Sequence, residues 1–99
     1  SMAAVILACG DHRQVYRHTQ VLIHQLMGGT GMAQQTDIEI VAQHTAAMRA
    51  ELDELLAEHG NLSAQEFHEL TERDCWCNAR RALELGLVDE VIAPSKKAL

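Results

Sequence analysis

The sequence predicts a fold of the α/β or α+β class, because helical and strand-like patterns alternate along it. A long segment that ends at Gly60 carries apolar residues at three- and four-residue spacing, which is typical of an amphipathic helix. Short β-prone runs precede this segment at residues 15–16 and 20–23, and another follows at residues 87–92. Strands so short and sparse indicate that the rest of their sheet lies in an upstream segment outside this sequence.

The chain opens with a small, apolar segment, residues 3–9, which is followed by Gly10. This composition fits a short buried helix that ends at a glycine; a buried strand has the same composition, and we favour the helix. Polar residues 17–19 separate the two β-prone runs, so we expect two strands joined by a turn.

A long amphipathic helix is predicted in the middle of the chain. Thr36 and Glu39 form a capping box, which marks a helix start, and we place the helix from Asp37 to His59. Its apolar face is made of Ile40, Val41, His44, Met48, Leu52, Leu55 and Leu56.

Two shorter helices are predicted after the long one. Ser63 and Glu66 make a second capping box, which begins the first of them. Asn78 is the expected N-cap of the second, which stops at Gly86. The apolar run at residues 87–92 is then predicted to be a strand.

The charge balance and the apolar runs exclude two classes of protein. The net charge is −6 with only eight Lys and Arg residues, which leaves no basic stripe for nucleic acid. The longest apolar run, residues 3–9, is far too short to span a bilayer, and it lacks the basic leader of a signal peptide. We therefore expect no nucleic-acid partner and no membrane segment.

The cysteines indicate a reducing compartment. Cys9, Cys75 and Cys77 are an odd number, and a pair separated by one residue rarely forms an unstrained disulfide. A cytoplasmic location is therefore expected. Cys75, Cys77 and the histidines can also be interpreted as a zinc site, but no second cysteine pair accompanies them, so we expect no metal.

Five short motifs in a fixed order connect the chain to a known family. They are Ser-Met-Ala-Ala at residues 1–4, Val-Leu-Ile-His-Gln at 21–25 with Gly-Gly at 28–29, Thr-Asp-Ile-Glu-Ile at 36–40, Thr-Glu-Arg-Asp at 71–74 and Gly-Leu-Val-Asp-Glu-Val at 86–91. Each is common by itself, but the set resembles the Clp peptidase family along essentially the whole chain. The resemblance implies a Clp-type, crotonase-like α/β fold, with residues 1–99 as the C-terminal part of a single peptidase domain whose upstream part is absent.

The resemblance also implies a serine peptidase site. The serine of Ser-Met, Ser1, would be the nucleophile, the histidine of Ile-His-Gln, His24, would be the general base, and Asp74 would orient that base. Such a triad works because the histidine takes the proton of the serine hydroxyl while the carboxylate fixes the histidine tautomer. The backbone N–H of Met2 would be one donor of the oxyanion hole, and the other donor would lie upstream.

The remaining motifs imply how substrate and partner chains would be held. A glycine-rich strand would pair through its backbone with an extended substrate peptide, and its residues are Gly28, Gly29, Thr30, Gly31 and Met32. It lacks the lysine of a phosphate-binding loop. The long helix would be the handle by which two heptameric rings of the subunit stack. An AAA+ unfoldase would thread unfolded proteins into the chamber for cleavage to short peptides, and no cofactor is expected in the subunit itself.

Some positions depart from the family pattern or have a second interpretation. Ala3 stands where the family has glycine and Leu26 where it has proline, although neither change removes a catalytic group. Arg73 matches the family arginine that couples ring contact to site geometry. Ser1 and Met2 are also what cleavage of an affinity tag commonly leaves, so Ser1 has an alternative origin.

The other candidate groups have ordinary structural interpretations. Residues 75–77, Cys-Trp-Cys, are interpreted as packing behind the triad. The remaining histidines are expected at the surface or on helix faces; they are His12, His18, His44, His59 and His68.

Three alternative functions stay open. A catalytically idle Clp-like subunit would be a structural or regulatory member of a mixed ring, although an intact triad argues against it. If Ser1 were a true N-terminal nucleophile, its own α-amine would be the base, and His24→Ala would leave activity largely intact. A hydratase or isomerase of the crotonase-like fold would turn over thioesters without peptidase activity.

Overall fold

The computed structural model describes residues 2–93 as a mixed α/β arrangement. In this part of the chain the elements are α1 Met2–Ala8, β1 Gln14–Tyr16, β2 Gln20–Ile23, α2 Gln35–His59, α3 Ala64–Leu70, β3 Cys75–Asn78, α4 Ala79–Glu84 and β4 Glu90–Ile92. The helix favoured for the start of the chain is confirmed, and so are the two early strands.

The strands of the described chain form two separate two-stranded sheets. β1 lies parallel to β4, with Gln14 opposite Glu90. β2 runs antiparallel to β3, and Ile23 is opposite Cys75. The turn predicted between β1 and β2 is present, but each strand pairs with a strand from the C-terminal third of the chain and not with the other.

The C-terminal third of the chain supplies most of the core. Gly60 ends α2 against this core, where a Cβ atom would lie 2.8 Å from Cζ of Phe67, so a larger residue would have to displace the ring. The largest buried side chains are Phe67, Cys77, Leu85, Leu87 and Val88.

α2 is long, and only its C-terminal part is packed. Its 25 residues extend roughly 37 Å at the usual helical rise. Every residue from 35 to 44 is exposed, whereas Asp53 and Leu56 are buried where α2 packs on α1 and α3. Half of the predicted apolar face is therefore uncovered within residues 2–93.

α2 starts earlier than predicted. It begins at Gln35, and its N-cap, Gln34, makes no side-chain capping hydrogen bond. The backbone N–H of Ile38 donates to the carbonyl of Gln34 at 3.1 Å. Thr36 therefore already lies inside the first turn, and the predicted capping box of Thr36 and Glu39 is wrong.

The predicted caps of the two shorter helices are confirmed. Ser63 Oγ accepts a hydrogen bond from the Glu66 N–H at 3.1 Å, and Glu66 Oε1 accepts one from the Ser63 N–H at 3.2 Å. The side chain of Asn78 caps α4 in the same way. Gly86 has a φ of 74°, which favours glycine, and the chain leaves α4 there.

The last strand is shorter than predicted. β4 covers only Glu90–Ile92 of the expected 87–92. Leu87 and Val88 are almost fully buried in the core, at 0% and 2% exposure, so they act as packing residues before the strand begins.

β3 was not predicted, and it changes the interpretation of residues 75–77. Side chains alternate between the two faces of a strand, so Cys77 is fully buried while Trp76 is 65% exposed. The interpretation as packing behind the triad is wrong for the exposed Trp76, and for the buried Cys77 it stays a prediction. Burial, together with a hydrogen bond to Cys75, raises the pKa of Cys77 to about 12.

Candidate active site

The candidate base and acid lie at the same end of the β2–β3 sheet. Ile23 and Cys75 form the last pair of this antiparallel ladder, and His24 and Asp74 are the next residues on the two strands. Because antiparallel register runs residue against residue, one further step of the ladder would pair His24 with Asp74. Both residues thus adjoin the same end of one sheet, although the whole of α2 and α3 separates them in sequence.

The two side chains are not hydrogen-bonded to each other. Nδ1 of His24 lies 2.7 Å from the carbonyl oxygen of Gln25. A carbonyl acceptor requires the proton on Nδ1, which leaves Nε2 as the basic nitrogen. Asp74 is exposed, and its carboxylate makes no hydrogen bond or ion pair within residues 2–93. A hydrogen bond of Gln25 connects the segment after β2 to the segment before β3. Its Nε2 donates to the carbonyl of Glu72 at 3.0 Å.

The candidate nucleophile, Ser1, lies outside the described residues. Its neighbour Met2 begins α1, and the N–H groups of a first helical turn have no partner within the helix. α1 packs against β2 and α2. This packing brings Met2 to the wall of the cavity that His24 also lines.

That cavity has a volume of about 210 Å³. Most of its wall is apolar and includes Val5, Ile23, Leu52 and Leu56. A cavity of roughly 150 Å³ holds a benzene-sized molecule, so this one is large enough for an amino-acid side chain. It suits the burial of one substrate side chain next to the candidate base.

Asp74 lies in an adjoining groove. Arg73 and Trp76 line this groove with it, and residues 25–27 line both spaces. Nη1 of Arg73 donates to the carbonyl of Glu72 at 3.3 Å. The role expected for Arg73, coupling ring contact to the site, stays a prediction.

The sequence analysis did not single out Asp53, which lines the cavity. Asp53 is 6% exposed, and its Oδ2 lies 2.8 Å from Nδ1 of His68 on α3. His68 is thus half-buried and bonded across two helices, and not simply a helix-face residue. The sequence did contain a sign of this bond. Asp53 lies on the same helical face as Leu52 and Leu56, where an apolar residue is expected.

Arg49 lies one helical turn before Asp53 and lines the same cavity. Its Nη2 donates to the carbonyl of His68 at 3.0 Å and to Glu72 Oε1 at 3.3 Å. Its Nε is buried and has no hydrogen-bond partner in the described part of the chain. Arg49 and Asp53 thus both line the largely apolar cavity.

The glycine-rich segment does not form the strand that was expected. Residues 24–34 contain no strand, because no neighbouring strand within the described residues is there to pair with them. Residues 28–31 are exposed, and Gly31 has a φ of 62°, which interrupts an extended run. Met32 is fully exposed. Substrate pairing by this segment stays a prediction.

Two further properties concern membranes and metals. Within residues 2–93, no helix combines the length and the apolarity that crossing a membrane requires.

Cys75 Sγ and Cys77 Sγ lie 3.6 Å apart. Over the same residues, no group of three or more His, Cys, Asp or Glu side chains is arranged to hold a metal ion.

Comparison with known proteins gives matches along nearly the whole chain. The Clp protease family model matches residues 1–95. The ATP-dependent Clp protease proteolytic subunit of Lactococcus lactis subsp. lactis (strain IL1403) is 40% identical over 95 residues, which cover 93% of this chain and 48% of that protein. Subunits of the same name from Streptococcus sanguinis (strain SK36) and Streptococcus pneumoniae (strain Hungary19A-6) are 40% and 41% identical over 98 and 96 residues. These matches cover 96% and 94% of this chain and 50% and 49% of the relatives.

The chain therefore spans about half the length of the curated relatives it matches. The matched region includes both strand ends that carry His24 and Asp74. The mixed α/β arrangement is consistent with the match. The chain belongs to the Clp protease family.

Proposed function

We propose that this chain is part of a serine endopeptidase subunit that hydrolyses unfolded polypeptides to short peptides. The observation that carries the proposal is the register of β2 and β3, whose last pair adjoins both His24 and Asp74, with His24 lining a cavity. Family membership supports it, since the relatives are named proteolytic subunits of an ATP-dependent protease. The crotonase-like fold of the whole subunit, completed by an upstream part, belongs to the same proposal.

The proposed reaction is acyl transfer through Ser1. Ser1 Oγ attacks the peptide carbonyl carbon while Nε2 of His24 takes its proton. The backbone N–H of Met2 donates a hydrogen bond to the carbonyl oxygen and stabilises the negative charge that develops there. When the C–N bond breaks, His24 gives the proton to the leaving amine, and an ester to Ser1 remains. A water molecule that His24 deprotonates then hydrolyses this ester and restores the serine.

Asp74 has to engage His24 for this chemistry. The Nδ1 proton of His24 is now held by the Gln25 carbonyl, so the imidazole turns about its side-chain bonds until Nδ1–H reaches the carboxylate. Asp74 then stabilises the imidazolium. Arg73, the residue before it, would transmit subunit contact to this step.

The substrate is held by backbone pairing and by the cavity. The exposed segment 28–32 becomes a strand when an extended peptide supplies the missing neighbour. Three of its five residues are glycines, so a peptide can approach its backbone closely. Recognition through backbone groups accepts many sequences, which suits an enzyme for unfolded proteins.

The uncovered half of α2 supports self-association. Ile38, Ile40 and Val41 are 47%, 57% and 39% exposed, and large apolar patches of this kind mark protein contacts. We propose that this half of α2 is the handle by which heptameric rings stack. An AAA+ unfoldase then delivers unfolded chains to the enclosed sites, and the subunit itself needs no cofactor.

A second candidate function is a catalytically idle subunit of a mixed ring. The observation that favours it is the bonding of His24, whose Nδ1 faces the Gln25 carbonyl while Asp74 is unbonded within residues 2–93. In such a subunit this arrangement would be permanent, and the chain would contribute only to assembly.

Labelling with a fluorophosphonate, which reacts with activated serines, tests the proposal on the complete protein in its assembled form. We expect the label on Ser1 in the wild type and a loss of roughly 10³-fold or more in labelling rate for His24→Ala. His18→Ala, which changes an exposed histidine between β1 and β2, is the matched control and should label like the wild type. Intact assembly without any label would establish the idle subunit, and unchanged labelling of His24→Ala would show that His24 is not the base.

A further inference from the structure

Two thiols lie side by side next to the candidate acid. Cys75 and Cys77 are alternate residues of β3, so both side chains point to the same face of the strand. Their sulfur atoms are 3.6 Å apart, and Cys77 Sγ also lies 3.8 Å from the carbonyl oxygen of Cys75. The strand begins at Cys75, which follows Asp74 directly. Any reaction of this dithiol therefore takes place one residue from the candidate active site.

The two thiols differ in accessibility. Cys75 is partly exposed, whereas Cys77 is fully buried. Burial, together with the hydrogen bond to Cys75, raises the pKa of Cys77 to about 12, so Cys77 stays protonated at neutral pH. A small oxidant from solvent therefore reacts first with Cys75, because oxidation of a thiol depends on its exposure. Cys77 is the adjacent thiol that can convert the oxidised sulfur into a disulfide.

A disulfide between these two residues requires a shorter β3. Alternate Cα atoms of a strand are roughly 6.6 Å apart, whereas the Cα atoms that a disulfide joins are most often about 5.5–6 Å apart. β3 pairs residue against residue with β2, and Cys75 is opposite Ile23, the residue before His24. Shortening β3 at this end of the ladder would displace Asp74 relative to His24.

We propose that Cys75 and Cys77 are a site of reversible oxidation by hydrogen peroxide, and that their disulfide turns the peptidase site off. The loss of activity rests on the proposed peptidase function, whereas formation of the disulfide does not. A disulfide that strains its own strand is easily reduced. Disulfides of reducing compartments are usually transient and redox-sensing, so a reversible bond is also the kind that suits the compartment expected from the sequence.

The oxidation has two steps. In the first, Cys75 Sγ bonds to one oxygen of the peroxide, the O–O bond breaks, and the departing hydroxide takes the thiol proton and leaves as water. Cys75 is then a sulfenic acid. In the second, Cys77 Sγ bonds to Cys75 Sγ, the S–O bond breaks, and the hydroxide leaves as water with the proton of Cys77. Two thiols and one peroxide thus give one disulfide and two water molecules, and a dithiol reductant reverses the result.

Peroxide treatment of the complete, assembled protein tests this site. Trypsin cleaves after Arg73 and Arg80, so one peptide, residues 74–80, contains both cysteines. We expect this peptide to lose two hydrogens in mass. Peptide hydrolysis by the oxidised protein should slow roughly 100-fold, the usual effect of a displacement of about 1 Å in an active site. Dithiothreitol should reverse both changes.

Two variants show which thiols matter. Cys75→Ser should keep its own rate of peptide hydrolysis after peroxide treatment, because it cannot form the disulfide. Cys9→Ser removes an exposed thiol elsewhere in the chain and is the matched control, which should respond to peroxide like the wild type.

The outcomes separate this inference from the proposed function. If peptide 74–80 gains oxygen without forming a disulfide, or if its disulfide joins two chains, the oxidation site is wrong. If the disulfide forms but the wild-type rate does not change, or if Cys75→Ser is inhibited equally, the regulation is wrong and the peptidase proposal stands.

If no peptide is hydrolysed before oxidation and Ser1 takes no label, the peptidase proposal and the regulation fail together. The mass of peptide 74–80 then still decides the oxidation site. Should Cys75→Ser not fold, the mass of this peptide and the recovery of the wild-type rate with dithiothreitol decide by themselves.

Discussion

Two pairs of side chains occupy equivalent places in the fold and are in opposite states. Arg13 and Asp89 lie one residue before the first pair of the parallel β1–β4 ladder. His24 and Asp74 lie one residue beyond the last pair of the antiparallel β2–β3 ladder. In each case a nitrogen-containing side chain and a carboxylate follow directly on paired residues of a sheet.

The pair beside the parallel sheet is extensively hydrogen-bonded. Nε and Nη2 of Arg13 donate to the two oxygens of Asp89 at 3.0 and 2.8 Å. Nη1 donates to the carbonyls of Ala8, His59 and Gly86 at 3.0, 3.1 and 2.8 Å. One guanidinium thus joins the ends of α1 and α2 and the segment after α4 to the start of β1.

The pair beside the antiparallel sheet makes few side-chain hydrogen bonds. His24 is bonded only to the neighbouring carbonyl of Gln25, and Asp74 is unbonded within residues 2–93. A pair whose groups are bonded to each other and to several carbonyls holds elements of the fold together. A pair without such bonds stabilises no other element and can contact a substrate. The hydrogen bonds of Asp89 therefore indicate a structural role, whereas their absence at Asp74 fits a catalytic one.

The largest effect expected from this difference is on activity, for Asp74→Asn in the assembled protein. An amide cannot stabilise the imidazolium of His24 and favours the wrong tautomer, so peptide hydrolysis should fall roughly 10⁴-fold. The melting temperature should not change, because Asp74 makes no bond within residues 2–93. Initial rates and calorimetry measure the two quantities.

Asp11→Asn is the matched control for this change. Asp11 is another exposed aspartate, in the loop before β1, and its substitution should affect neither quantity. Full activity in Asp74→Asn would remove Asp74 from the triad. A large fall in its melting temperature would make it a structural acid like Asp89.

The next largest effect is on stability, for Arg13→Met. Methionine keeps an apolar stem but leaves the three carbonyls that Arg13 contacts without their donor. We expect the free energy of unfolding to fall by about 3 kcal/mol or more. Arg17→Met, at an exposed position in the turn after β1, is the control and should change it by less than about 0.5 kcal/mol. Equal values in urea denaturation of the two variants would mean that the Arg13 bonds contribute nothing net.

Local patterns in the sequence predicted the helices well. The caps at Ser63 and Asn78 depend on residues three positions apart, and the structure contains both. The early strands also agree with expectation, whereas the roles of His24 and Asp74, which came from a family resemblance, stay predictions. Thr36 shows the limit of this approach, because a capping motif does not say whether the helix continues past it.

Features that depend on distant partners were not predictable from local pattern. β3 exists because β2 lies beside it, while Cys-Trp-Cys by itself has no strand signal long enough to recognise. The bond between Asp53 and His68 joins two helices. The bonding state of His24 depends on a side-chain rotation that no motif encodes. Such properties depend on contacts between residues that are far apart in the chain, and a single sequence does not reveal these contacts.

The smallest effect concerns acid stability and isolates the Arg13–Asp89 pair. Hydrogen bonds from Arg13 lower the pKa of Asp89 from 3.8 to about 2. A carboxyl whose pKa is lower in the folded state stabilises the fold above its unfolded pKa, and this contribution is lost as the pH falls through the folded value. The pair should therefore stabilise the protein fully above about pH 4 and progressively less down to about pH 2.

The measurement is the melting temperature of the wild type and of Asp89→Asn across this pH range. The wild type should be more stable above pH 4, and the gap should close toward pH 2 as Asp89 takes up its proton. Since the Asp89 side chain is 41% exposed, added salt should narrow the gap at neutral pH. A gap that stays constant with pH would mean that Asp89 acts through its shape and not its charge. The contrast between the two pairs would then rest on Arg13 and its carbonyl bonds alone.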